Sequence, residues 1–255
     1  MQIECVLLKK NISGIMCKIL KSIYISLMLI VSPQIKATSD TCHPKINPRL
    51  PQYITGYGSL IDEQSKKTTD SKAYENIPVL IKGFKRSWCA HGNLPGFNAT
   101  FLSLNENKKG TFNGVIYRVS DPKEIELYDT RETVYCRKEL SAEQIKIYTK
   151  NIPEKIQVWI YYPKSTQNDQ PSREFPVAQS YVDIFIRGCI KIEEKFNIKD
   201  FAKECILTTD NWPEQHWVND RIYPRRPSTY EPYARKIDGL LKELLPKQFK
   251  NIRIE

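Results

Sequence analysis

The sequence predicts an α+β fold, with strands gathered in the earlier part of the chain and helices in the later part. Two observations carry this. Short runs rich in aromatic and β-branched residues recur between Tyr53 and Tyr162. From Ala178 onward the apolar period changes, and Val182, Phe185, Ile186, Cys189 and Ile190 fall on one helical face. No internal repeat or low-complexity tract is evident, so the strands are expected in one small mixed sheet rather than an array.

Taken in order, Thr38–Gln52 contains Pro44, Pro48 and Pro51 and reads as an extended lead-in. Tyr53–Tyr57 is the first strand. The polar stretch Asp62–Asn76 reads as a loop with a short helix. Val79–Ala90 is a second strand interrupted by Gly83, followed by a turn-rich loop at Gly92–Gly96. Ala99–Leu104 and Thr111–Val119 read as two strands joined across Asn105–Gly110 as a hairpin-like pair. Ser120-Asp121-Pro122 predicts a capped helix with proline at its first position, Glu124 near its positive end, and an end near Thr130. Tyr135–Leu140 and Lys155–Tyr162 read as further strands, and the polar stretch 163–176 as a connection. Helices are then expected from Ala178, after Asp200 through Leu207, and over Tyr233–Leu245 with a stop at Pro246.

At 255 residues the chain is long enough for a full core, and its 27% charged and 40% hydrophobic residues argue against wholesale disorder. The net charge of +10 is partly a leader effect. Residues 1–37 hold five Lys and one Glu, leaving 34 basic and 28 acidic residues, or +6, for the remainder. That surplus is dispersed and carries no nucleic-acid motif, so no nucleic-acid partner is expected; a small anionic substrate fits the charge as well.

Met16–Lys21 is a short basic start, Ser22–Pro33 is mostly apolar, and Ala37 supplies a small residue before a polar stretch. The 14 residues between Lys21 and Lys36 are short for a span of about 20. A cleaved signal peptide over 1–37 is expected, with translation starting at Met1 or Met16 and a secreted or periplasmic destination; an uncleaved anchor is the alternative. No membrane contact is expected beyond that segment. Cys42, Cys89, Cys136, Cys189 and Cys205 remain, without a Cys-x-x-Cys pair. One or two disulfides with one thiol left over are expected; the pairing stays open, and Cys189 could be a packed small hydrophobe. No metal or other cofactor is expected.

The stretch with most chemical content is Tyr53-Ile54-Thr55-Gly56-Tyr57-Gly58-Ser59-Leu60-Ile61. A strand that breaks at Gly-Tyr-Gly-Ser presents successive backbone N–H groups with no Cβ in the way, suited to a carboxylate or an oxyanion. This segment resembles the Tyr-Gly-Ser signature of the γ-glutamylcyclotransferase-like family, which includes ChaC-type and AIG2-like proteins. The resemblance continues through Gly83-Phe84-Lys85-Arg86, Gly114-Val115-Ile116-Tyr117 and Leu127-Tyr128-Asp129-Thr130-Arg131-Glu132-Thr133-Val134-Tyr135, and covers roughly residues 53–190. It implies a mixed β-barrel with flanking helices, the pocket at one end, and a helical C-terminal extension like that of longer bacterial members. The domain is expected over 53–195 and the extension over 196–255.

The resemblance also implies a reaction. The α-amino group of a γ-glutamyl unit attacks its own γ-carbonyl, giving 5-oxoproline and a free amine. Glu132 aligns with the family's catalytic glutamate as acid/base, although Thr133 stands where many relatives have glycine. Thr55, Gly56, Tyr57, Gly58, Ser59 and Leu60 map onto the γ-glutamyl-binding loop, and Tyr181 matches a tyrosine that contacts substrate. Read without the resemblance, Glu132 is a solvated partner of Arg131, and Tyr57 and Tyr181 are packing aromatics. The three histidines and the lack of a Gly-x-Ser-x-Gly elbow suit a reaction with no covalent nucleophile.

The stretch Trp212–Pro227 reads as a stiff strap, pinned by Asp220–Arg pairs and buried Trp rings. The sharper alternative is that Arg221, Arg225 or Arg226 reaches the pocket and clamps a substrate carboxylate. Alternatives to the enzyme are a secreted binding module on the same barrel and an interaction protein using the basic strap. The leaving amine and the oligomeric state are not legible.

Overall fold

A computed structural model describes residues 42–132, 135–149, 152–226 and 230–255. The expected signal peptide over 1–37 lies outside them. Among the described residues no helix is long and apolar enough to cross a membrane.

The expected α+β arrangement is present. The strands are β1 (Gln52–Gly56), β2 (Ile77–Leu94), β3 (Phe97–Arg118), β4 (Tyr135–Glu139), β5 (Ile145–Ile147), β6 (Gln157–Pro163), β7 (Val177–Ala178), β8 (Thr209–Asp210), β9 (Trp217–Asn219) and β10 (Arg253–Ile254). The helices are α1 (Glu63–Lys67), α2 (Glu124–Arg131), α3 (Gln179–Phe196), α4 (Phe201–Leu207), α5 (Ala234–Leu244) and α6 (Pro246–Lys250). The main sheet has seven strands in the order β4-β6-β1-β3-β2-β5, with β8 beside β2, and it curls into a half-barrel. β1 pairs antiparallel with β3 and parallel with β6, which makes the sheet mixed.

Period-two alternation divides the strand residues between two cores. Tyr53, Ile116, Val158 and Ile160 join Val79, Ile81, Phe84 and Phe112 on one face. Their chain neighbours Ile54, Val115, Tyr117, Trp159 and Tyr161 pack on the other with Val182, Phe185, Ile186, Cys189 and Ile190 of α3. The helical face expected from the apolar period is therefore the face that covers the sheet. Ile237 and Leu241 of α5 join this second core.

Several expected elements are corrected. Ala99–Leu104 and Thr111–Val119 do not pair with each other; both belong to β3 and pair with β2. The register jumps between Lys82↔Thr111 and Phe84↔Glu106, so the polar residues 107–110 bulge out opposite Gly83, whose φ is +94°. The Gly92–Gly96 loop shrinks to a tight hairpin, with Leu94 paired to Phe97. Asp121 and Pro122 form a turn rather than a cap: the Lys123 N–H donates to Asp121 Oδ1, and α2 begins only at Glu124. Pro246 stops α5 and also starts α6.

Two disulfides form, Cys42–Cys136 and Cys189–Cys205, and Cys89 is left as a buried thiol. Cys189 is thus a crosslink between α3 and α4 as well as a core residue.

Candidate active site

β1 leads into a single 3-10 turn over Ser59–Ile61. A Cβ on Gly56 would meet the Leu60 carbonyl oxygen at 2.9 Å and Val115 Cγ2 at 2.9 Å, so only glycine lets the chain fold back this tightly. Gly56 itself does not line the cavity beyond the bend; its part is to shape it. Gly58 does line it, and a Cβ there would meet the Tyr181 hydroxyl at 2.8 Å.

That cavity, about 280 Å³, is bordered by Thr55, Tyr57, Gly58, Ser59 and Leu60 from the bend. Its volume lies just below the roughly 300–1,000 Å³ common for small-molecule sites. Glu132 enters from the C-terminal end of α2, Tyr135 from the first residue of β4, and Tyr181 from the first turn of α3. Glu132 keeps 19% of its side chain exposed and pairs with Arg131 at 3.2 Å. Burial raises its carboxyl above the usual range, and Arg131 pulls only partly the other way. The carboxylate is neither openly solvated nor fully neutralised.

Three tyrosines, Tyr57, Tyr135 and Tyr181, line the same cavity as that acid. Burial lifts Tyr57 well above its ordinary value, with Tyr135 and Glu132 adding to the shift. Tyr135 is pushed up to about 12, chiefly by burial. Tyr181 is raised by burial, while Arg226 and a hydrogen bond with the Ser59 backbone draw it down in part. All three are neutral donors at physiological pH. The Thr55 hydroxyl is buried at the same wall without a hydrogen-bond partner among the described residues.

The framework behind the site is polar and buried. Asp129, three residues before Glu132, accepts from the Tyr161 hydroxyl at 2.6 Å and from Arg137 Nη1 at 2.7 Å. This ties α2 to β6 and β4. Arg86 donates from Nη1 to the Tyr57 carbonyl at 3.2 Å and the Asn113 carbonyl at 2.8 Å, and from Nη2 to the Cys205 carbonyl at 2.7 Å. It lies fully buried, with no carboxylate among its described partners.

The strap is mostly structural, with one exception. Trp212 and Trp217 stack in the core with ring centroids 5.3 Å apart. Asp220 does not pair with arginine side chains as expected. It accepts from the Ser180 amide and hydroxyl and from the Arg225 backbone N–H. Arg221 pairs instead with Asp183 and Asp238. Arg226 alone of the three strap arginines reaches the cavity.

The expected residues Thr55, Tyr57, Gly58, Ser59, Leu60, Glu132 and Tyr181 therefore share one cavity. Sequence reasoning passed over Tyr135 and Arg131, which stand inside a quoted motif, and Tyr161, His91 and Phe101, which carry no local signal. Among the described residues no group of three or more His, Cys, Asp or Glu is placed to hold a metal ion.

No family model matches the chain, and no curated protein does. Among solved structures it is similar to a γ-glutamyl cyclotransferase at 13% identity, over 75% of this chain and 98% of that one, with a TM-score of 0.46. It is similar to YkqA from Bacillus subtilis at 17% identity, over 58% and 53%, with a TM-score of 0.42. A γ-glutamyl cyclotransferase specific to glutathione from yeast matches at 12% identity, over 76% and 97%, with a TM-score of 0.38. The likeness is one of fold.

Proposed function

We propose that the protein is a γ-glutamylcyclotransferase-like enzyme, converting a γ-glutamyl amine, amino acid or peptide to 5-oxoproline and the free amine. The observation that supports this most is a partly desolvated carboxylate, Glu132, sharing a small cavity with the Tyr57–Ser59 bend. The order of sequence motifs that brings both there supports it too.

In this reading the bend holds the γ-glutamyl unit with its α-amino group beside its own γ-carbonyl, so attack is intramolecular. Glu132 accepts the proton that the attacking nitrogen must lose. A C–N bond forms at the γ-carbon and the oxyanion is met by backbone N–H groups of the bend, with the neutral tyrosines as further donors. As the original amide C–N bond breaks, Glu132 returns a proton to the departing nitrogen. Its raised pKa suits both transfers. Export belongs to the same proposal, and the two disulfides are consistent with an oxidising compartment.

The test is incubation of purified protein with γ-glutamyl amines, amino acids and glutathione, with 5-oxoproline measured directly. Ligand binding without product across that panel would leave a non-catalytic binding protein on the same fold.

A further inference from the structure

Arg226 differs in kind from the other charges of the cavity. Arg131 is engaged twice, with Glu132 at 3.2 Å and with the Thr69 hydroxyl. Arg226 has no salt bridge among the described residues, and its Nε is buried without a hydrogen-bond partner. Yet its position is fixed. Its backbone N–H donates to the Ser180 hydroxyl at 3.1 Å, and that hydroxyl donates to the buried Asp220 at 2.7 Å. Its guanidinium lies over the Tyr181 ring, 5.9 Å from the centroid. A guanidinium whose backbone is fixed, whose Nε is buried and which has no counter-charge among the described residues suits an anion.

The cavity also says which part of a ligand Arg226 meets. The Tyr181 hydroxyl abuts Gly58 of the bend, and Arg226 packs on the same tyrosine's ring. The guanidinium and the bend thus meet the same side chain, one at its ring and the other at its hydroxyl. If the bend takes the glutamyl unit, Arg226 faces the group attached to it. Among the described residues Glu132 is the one acid lining the cavity, so a second carboxylate meets no other acid among them.

We propose that Arg226 binds the carboxylate of the departing amino acid or peptide, and so sets the substrate class as γ-glutamyl amino acids and peptides over uncharged γ-glutamyl amines. This rests on the enzyme reading above. No group other than the two carboxylates of such a substrate is required.

Two measurements separate the proposals. The first is kcat/KM for a γ-glutamyl amino acid and for a matching γ-glutamyl alkylamine, in wild type and in Arg226→Gln. The acid-over-amine ratio should fall about 10–100-fold in the variant, the loss expected for one or two charge-assisted hydrogen bonds, mainly through KM, with partial recovery in Arg226→Lys. An unchanged ratio, or equal losses on both substrates, overturns the assignment while leaving the enzyme reading intact. The second is calorimetric binding of the same pair to Glu132→Gln protein, with and without Arg226→Gln. A carboxylate preference that needs Arg226, in a wild type that makes no 5-oxoproline, would keep the arginine and discard the enzyme. Binding of neither compound overturns both.

Discussion

The Arg86 guanidinium holds the Tyr57 carbonyl from the inside of the molecule, 3.2 Å away, and the same group binds the Cys205 carbonyl at the end of α4. The bend of the candidate site is thereby tied to a helix that is itself linked by disulfide to α3, the helix carrying Tyr181. Burial lowers the Arg86 pKa to about 9, yet the group stays charged at neutral pH because its donors are taken up by carbonyls and hydroxyls.

Arg86→Met should therefore cost stability on the order of 2 kcal/mol, since several buried carbonyls lose donors while one unpaired buried charge is removed. Ligand affinity should fall as well, because the Tyr57 carbonyl is released. Denaturant unfolding and ligand titration check this; a variant as stable and as tight-binding as wild type would show that the bend holds its own shape.

Glu132→Gln should reduce 5-oxoproline formation by about 10²–10⁴-fold. The acid limb of kcat/KM in wild type should lie above the ordinary glutamate value of about 4.3, in line with the direction of its shift. Stability should move the other way. A carboxyl with a raised folded-state pKa contributes stability below its unfolded value, and loses it as pH rises through the folded value. Glu132→Gln should thus melt above wild type at pH 7, with the gap closing below about pH 4. Equal melting temperatures at every pH would mean that the carboxylate is well solvated.

Gly56→Ala and Gly58→Ala should separate folding from binding. At Gly56 the new methyl meets a backbone carbonyl and a packed valine, so a loss of about 1–3 kcal/mol is expected. At Gly58 it meets the hydroxyl of Tyr181, a side chain buried against Trp88 and Phe101, so ligand binding should drop with a smaller loss of stability. Gly58→Ala combined with Tyr181→Phe, which removes the crowded oxygen, should melt above Gly58→Ala alone. Thermal melts and titrations of the three variants distinguish these outcomes.

Much of this was legible in sequence, for identifiable reasons. Alternation in Tyr53–Tyr57 and Lys155–Tyr162 and the helical period from Val182 to Ile190 report burial directly, and burial determines those elements. Glu132 and the bend are marked by local motifs. The continuity of β3 was not legible, because a strand carrying polar residues through a bulge looks locally like two strands and a turn. Arg226 was legible only as one of three strap arginines offered for the pocket, with Arg221 and Arg225, and Tyr161 not at all, since a residue brought in from a distant strap or strand leaves no local mark of where it points.

The disulfides should be separable too. Cys42–Cys136 closes 94 residues and Cys189–Cys205 closes 16, so the chain-entropy model assigns about 4–5 and about 3 kcal/mol. Cys189→Ser with Cys205→Ser should therefore lower the melting temperature by roughly 6–12 °C. Alkylation of unreduced, denatured protein cleaved before residue 40 should label one thiol, Cys89, by mass.

The placement of β1 carries a consequence for how the chain acquires its shape. β2 and β3 are joined by a two-residue turn and can zip together from it, whereas β1 has only distant partners, β3 from Tyr53↔Arg118 to Gly56↔Val115 and β6 105 residues along the chain, where Gln52 donates to Gln157. The topology therefore leads us to expect that a polypeptide emerging from the ribosome forms its long hairpin early and its ligand-gripping bend late. Pulse-labelled amide exchange during refolding should protect Trp88 and Leu102 before Ile54 and Thr55; simultaneous protection would mean that the sheet condenses as a unit.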